Sequence, residues 1–252
     1  MADLSGLGFA AGAGLLGGAM NALAGGGTFA TMPTLIALGL PSPVANATSN
    51  VALQPGLGAS AWAYRKGLGP LAGFSMPVLA AITFAGGLAG SLLLVATPAR
   101  LFDVVVPWLL LLATIVLAFG QRAAVALHRR VTIGPKTLVV AQILLGIYGG
   151  YFGGGVGLMM TAAFGLLAHQ EPHKMAGART LMVATANAAA ALIFIVAGMV
   201  RWIYCIPMLI GAIVGGYLGA RLGQILPPLA IRIWTLLITA VTTAVFFWRA
   251  YA

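Results

Sequence analysis

"AGGGTFATMPTLIALGLPSPVANATSN", residues 24–50, places three consecutive glycines, three prolines and a polar cluster in a chain made mostly of Ala, Leu, Val, Ile and Gly. Glycine and proline both weaken an uninterrupted helix, so the stretch marks a break. The pattern returns as "GGYFGGGVGLMMTAAFGLLAHQEPHKMAGART", residues 149–180. The apolar segments after the two triplets, Thr28–Leu40 and Val156–Ala168, have 13 residues each. Each spans about 20 Å, short of a hydrocarbon core of roughly 30 Å. They read as the second halves of broken helices or of re-entrant hairpins.

The setting is a membrane. Of 252 residues 61% are hydrophobic and 6% charged, with a mean hydropathy of +1.05. That excludes a soluble globular domain, and a succession of apolar runs of about 20 residues makes the chain an all-α polytopic membrane protein. Further apolar segments fall at Leu4–Ala24, Val44–Tyr64, Leu71–Ala96, Leu101–Phe119, Thr137–Phe152, Met175–Val200, Ile203–Leu218 and Leu226–Phe247. The net charge of +10 comes from bases at the ends of apolar runs, which fits positive-inside bias and attraction of an anion better than nucleic acid. The single cysteine excludes an internal disulfide. MADLSGLGFA has no basic n-region, so no cleaved signal peptide is expected.

A basic connection, GQRAAVALHRRVTIGPK, divides the chain near its middle. Laying Gly25–Gly27 on Gly153–Gly155 and allowing a three-residue insertion brings Ala45, Ala47, Ser49 and Gly67 opposite Ala176, Ala178, Thr180 and Gly198. This predicts an internal duplication, with a first repeat over 1–120, a basic loop over 121–136 and a second repeat over 137–252. Two counts are open, eight full spans or ten helical elements. If each triplet is a reversal point, Arg65, Lys66, the central loop, Lys174 and Arg221 lie opposite Arg100, Arg201 and Arg249. Five elements per half make the two pseudo-symmetric repeats inverted, an arrangement typical of transporters.

Irregular backbone at membrane depth is tolerated only against protein or a water-filled cavity. Gly25, Gly26, Gly27 and Thr28 in one half, and Gly153, Gly154 and Gly155 in the other, each open a helix. Their free N–H groups and positive dipole ends suit an anion. The competing reading is close helix packing by small residues. Ser42 is expected to cap the next helix with Pro43 in its first turn. On that helix Asn46, Asn50 and Gln54 recur every four residues and share a face, flanked by Thr48 and Ser49. Thr180 and Asn187 share a face in the second half, with Arg179 beside Thr180. Amides and hydroxyls donate to an oxyanion without fixing a proton; interhelical bonding is the alternative. Arg179 lies about 12 Å inside a helix beginning near Pro172, where a guanidinium needs a partner and carboxylates are scarce. The transported anion could be that partner; snorkelling or pairing with Glu171 is the alternative.

His169, Glu171 and His173 suggest a metal cluster, but Pro172 interrupts the spacing, so an interfacial loop is the better reading and no metal or other cofactor is expected. Gly211, Gly215, Gly219 and Gly223 form a packing stripe, within the protomer or between protomers of a homo-oligomer. Trp62, Tyr64, Trp202, Tyr204, Trp248 and Tyr251 read as interfacial belt residues. With three acids in all, no acid pair for catalysis is available, and no enzyme is expected.

Gly25–Gly27, Pro33, the Gly39–Pro41 turn and the Ala45–Ser49 helix start together resemble the first-repeat motif of the sulfite exporter TauE/SafE family, also called the toluene sulfonate uptake permease family. "GGYFGGGVGLMMTAAFGLL" and "HKMAGART" resemble its second-repeat version, with Arg179 where the family commonly has Thr. The resemblance implies export of sulfite, or movement of small organosulfonates such as sulfoacetate, across the bacterial cytoplasmic membrane. Expected partners are a small anionic substrate and the lipid bilayer, with no nucleic acid. An anion channel of the same fold, a carboxylate transporter and a non-transporting scaffold are the alternatives.

Overall fold

The structure, a computed structural model, describes residues 4–63, 68–71, 73–128, 135–167 and 172–251. Among them are ten helices and no strand: α1 Leu4–Leu23, α2 Thr28–Ala37, α3 Ser42–Ala63, α4 Met76–Ala96, α5 Ala99–His128, α6 Pro135–Tyr151, α7 Val156–Leu167, α8 Pro172–Val196, α9 Trp202–Ile225 and α10 Pro228–Tyr251. Six of them, α1, α4, α5, α8, α9 and α10, contain stretches long and apolar enough to cross a bilayer. Helix α3 has the length but carries the polar residues that lower its hydropathy. At 10 and 12 residues, α2 and α7 are shorter than the apolar segments that contain them, and reach only about 15 and 18 Å.

The chain reverses at each glycine triplet. Helix α1 ends where the Gly25 N–H bonds the Met20 carbonyl, and α6 ends where the Gly153 N–H bonds that of Tyr148. Gly25 has φ +80 and Gly153 φ +73, the left-handed closure that a Cβ disfavours. Helix α2 then runs back along α1, with Gly27 beside Gly17 and Leu38 beside Gly6. Pro33 cannot donate to the Phe29 carbonyl one turn earlier; the Thr242 hydroxyl of α10 donates to it instead, at 3.3 Å.

Two glycine seams hold the long helices. In one, α1 runs parallel to α9, and the predicted stripe Gly211, Gly215, Gly219 and Gly223 lies against Ala11, Leu15, Ala19 and Leu23 of the same chain. The intramolecular alternative is therefore the one realised at this stripe. In the other, α4 runs parallel to α6, with Gly86 against Gly146, Gly90 against the Ile147 carbonyl and Gly150 against Gly87. Helices α3 and α8 cross between the seams. Fully buried Phe29, Phe102, Phe152, Phe164 and Phe194 fill the interior. Leu112, Ile210, Leu229 and Val241 are exposed on α5, α9 and α10, a placement that suits lipid contact.

Three expectations change in detail. Helix α5 continues to His128 and α6 starts at Pro135, so much of the supposed basic loop is helical; Gln121–His128 lost hydropathy but kept good helix formers. Ser42 is the first helical residue rather than the cap, since the Pro41 carbonyl accepts from Ala45 N–H. Its buried hydroxyl has no hydrogen-bond partner. Tyr64 lies outside the described residues, and Tyr204 is half-buried against Gly6 rather than at a free surface.

Candidate functional site

The two broken helices meet. A Cβ on Gly25 would lie 3.3 Å from the Gly157 Cα, so the first turn of the α7 segment touches the α1–α2 reversal backbone to backbone. The α2 start is fixed by a residue the sequence reading passed over: Asn21 Oδ1 accepts from the Gly27 N–H at 2.8 Å. An Asn in an otherwise apolar helix was the available signal. Across the junction, Phe29 lies against Gly155.

Beside this junction is a cavity of about 490 Å³, walled by α1, α3, α8 and α9. Its polar lining includes Asn21, Ser60, Arg179 and Thr180, and Gly25 and Gly157 contribute backbone. Among the described residues no carboxylate lines it. Arg179, half-buried, donates from Nη1 to the Thr161 hydroxyl at 3.3 Å. Thr161 in turn donates to the Gly157 carbonyl at 2.8 Å, which ties the guanidinium to the α7 start. At the mouth, Arg221 lies 4.9 Å from the centre of the Tyr217 ring.

Of the predicted residues, Gly25, Arg179 and Thr180 line this cavity. The amide face of α3 bonds to neighbouring helices. Asn46 donates to the Tyr151 carbonyl at 3.2 Å, Asn50 to Asn187 Oδ1 at 3.1 Å, and Gln54 to the Ala184 carbonyl at 3.0 Å. These are bonds from α3 to α6 and α8, so the interhelical alternative holds for the donor ends of all three. Their side-chain oxygens are buried without a partner. Gly153 packs on the Asn50–Asn187 pair, where a Cβ would lie 3.3 Å from both amides. Ser49 shares a hydrogen bond with Thr31, and Thr48 accepts from the Arg201 N–H at 3.0 Å. Gly26, Gly27, Thr28, Gly154 and Gly155 shape the two reversals and are absent from the cavity lining.

His169 and Glu171 lie outside the described residues, as does the side chain of His173. Among the described residues no group of three His, Cys, Asp or Glu is placed to hold a metal.

The family described as sulfite exporter TauE/SafE matches residues 10–246. The chain belongs to that family. It is 27% identical over 231 residues to the probable membrane transporter protein YfcA of Escherichia coli (strain K12), covering 91% of this chain and 85% of that protein. It is also 28% identical over 204 residues to a probable membrane transporter protein of Haemophilus influenzae, covering 81% and 79%. A third relative, probable membrane transporter protein ORF9 of a Sinorhizobium species, is 29% identical over 213 residues, covering 83% and 80%. No solved structure matches the chain. This TauE/SafE chain is thus a multi-pass membrane transporter and not an enzyme.

Proposed function

We propose that the protein is a secondary transporter of small sulfur oxyanions, sulfite or organosulfonates such as sulfoacetate, in the bacterial cytoplasmic membrane. The observation that carries the reading is the cavity where Arg179, Thr180 and Asn21 gather beside the Gly25–Gly157 junction. A guanidinium in a low-dielectric wall binds an oxyanion strongly because it donates several charge-assisted hydrogen bonds in a fixed plane. With an inside-negative potential, moving one negative charge outward is favourable by about 2.3 kcal/mol per 100 mV, so export needs no coupled ion.

Two inverted repeats, α1–α5 and α6–α10, provide the machinery in this reading. Supporting it, the α1·α9 seam has a counterpart in α4·α6. Helices α1 and α9 are parallel, α4 and α6 are parallel, and the α3 amides meet α8 in antiparallel order. Each helix and its counterpart five places on then run in opposite senses. Arg100, Arg201 and Arg249 fall at one end of the bundle, and Lys136, Arg221 and Arg232 fall toward the other; in this reading the bases that follow α3 and α5 in the sequence make that second end cytoplasmic.

The test is radiolabelled sulfite flux in proteoliposomes at a set membrane potential. Saturable flux in the native protein, abolished in a folded Arg179→Ala variant, is the expected result. Absence of flux for sulfite, organosulfonates and carboxylates alike would refute the reading.

A further inference from the structure

Asn46 and Asn50, one turn apart on α3, each keep a buried side-chain oxygen with no hydrogen-bond partner. The two residues are 1% and 5% exposed. An unmet acceptor at that depth is costly, and two together point to a ligand that supplies positive charge. Their orientation is set by what their nitrogens meet. The Tyr151 carbonyl can only accept, so Asn46 Nδ2 must face it and the Asn46 oxygen must face away. Asn50 Nδ2 faces Asn187 Oδ1. Gln54, a further turn along, also has an unpartnered oxygen but is only half-buried.

These amides meet the end of α6. That helix stops at Tyr151, so its last carbonyls have no helical donor and carry the negative end of the helix dipole. The Tyr151 carbonyl keeps a second lone pair beside its bond to Asn46. Gly153, at φ +73, lets the reversal close on the amides: a Cβ there would lie 3.3 Å from both Asn187 Oδ1 and Asn50 Nδ2. The Cβ atoms of residues four apart on a helix are about 5–6 Å from each other, which lets the Asn46 and Asn50 oxygens converge on one ion. The cluster lies away from both ends of α3 and α8. At such depth, carbonyl ends of broken helices are the groups that coordinate sodium in secondary transporters.

Size and charge select the cation. The unpartnered oxygens are closed to water, and a bare sodium ion is smaller than a water molecule whereas potassium is not. The oxygens named are all neutral, while a divalent ion is ordinarily held by carboxylates.

We infer that Asn46, Asn50, Asn187 and the Tyr151 carbonyl form a sodium-binding site at the second glycine reversal. The first reversal lines the cavity that holds Arg179; the second faces amide oxygens. Asn187 follows Arg179 by eight residues on α8, about 12 Å along the axis, so a bound sodium adds positive potential near the central cavity. The site requires binding only and does not depend on transport.

The experiment is thermal unfolding of the detergent-solubilised full chain, read by a thiol-reactive fluorophore at buried Cys205, as sodium chloride replaces choline chloride at constant ionic strength. A ligand of the folded state raises Tm along a saturating curve. Native protein is expected to show that curve with sodium and a much weaker one with potassium. Asn46→Ala and Asn50→Ala should each weaken the apparent sodium affinity about tenfold or more. Gln142→Ala, which removes another buried amide with an unpartnered oxygen, bonded to Thr83, should lower Tm yet keep the native sodium curve. Should the alanine variants fail to fold, Asn50→Asp decides: Asn187 can turn its amide nitrogen to the new carboxylate, and the added charge should tighten sodium binding. No sodium-specific rise in native protein, matching sodium and potassium curves, native sodium affinity in Asn50→Ala or Asn50→Asp, or loss of the response in Gln142→Ala each overturns the proposal. A protein that binds sodium in this way yet moves no sulfite, organosulfonate or carboxylate would refute transport alone.

Discussion

Gly215 and Gly216 are neighbours on α9, and their replacement by alanine is expected to have opposite effects. A Cβ on Gly215 would lie 1.8 Å from the Leu15 carbonyl oxygen and 2.6 Å from its carbon, whereas on Gly216 the nearest atom is the Gly18 oxygen at 3.8 Å. A carbon needs about 3.3 Å from such an oxygen, so Gly215→Ala must drive α1 and α9 apart by about 1.5 Å. The obstacle is backbone and cannot swing aside. Both changes gain about 1 kcal/mol of helix propensity. The overpacking term of about 1–3 kcal/mol falls on Gly215→Ala alone, so it is the expected stability gap between the two variants. At roughly 2–4 °C per kcal/mol for a chain of this size, the gap in Tm is about 2–12 °C. Cys205 is buried, which supplies the assay: a thiol-reactive fluorophore in detergent reports unfolding directly. Gly215→Ala should also lower flux, because Ala212 and Gly216 on the same helix line the central cavity. Melting of the two variants within about 1 °C of each other would refute the seam geometry behind this magnitude.

Other substitutions probe the site. In a double-mutant cycle, Asn50→Ala and Asn187→Ala should couple by about 0.6–1.7 kcal/mol in thermal or denaturant unfolding, the range seen for hydrogen bonds between membrane helices; additivity would mean the pair contributes nothing. Gly25→Ala places a side chain at φ +80 against Gly157 and should cost about 1–2 kcal/mol of stability while reducing sulfite flux. Cysteine introduced at Ser60 should be labelled by a membrane-impermeant thiol reagent added at the end where α3 finishes. At Thr48 it should stay protected, because Ser60 lines the cavity and Thr48 is fully buried. Labelling at Thr48 and not at Ser60 would invert the assignment of the open end.

The helix breaks were readable because they are local: three glycines followed by a segment too short to span leave few backbone options. The same holds for Arg179, conspicuous as a base well inside an apolar run. The roles of Asn46, Asn50 and Gln54 were not readable at that level. Their shared face follows from spacing by four, but whether amides meet an anion or the Tyr151 and Ala184 carbonyls depends on which helix arrives opposite. The end of α5 escaped for a different reason. Hydropathy marks where a helix leaves lipid, and propensity carries it on through Gln121–His128. Asn21 was obscured by small apolar neighbours, and its bond to Gly27 depends on a chain reversal that no linear pattern specifies.

The α1·α9 seam also has a history within each molecule as it is made. Gly14 and Gly18 lie against the backbone of Met208 and Ala212, so the first helix and its partner are separated by about 200 residues of chain. At roughly 5–20 residues per second, α1 spends about 10–40 s in the membrane before α9 is synthesised. During that interval its glycine groove is open to lipid or to another nascent helix. A ribosome that stops before α9 therefore releases an N-terminal fragment whose groove has no native partner. Any quality-control protease that recognises unpaired small-residue grooves would find its substrate there.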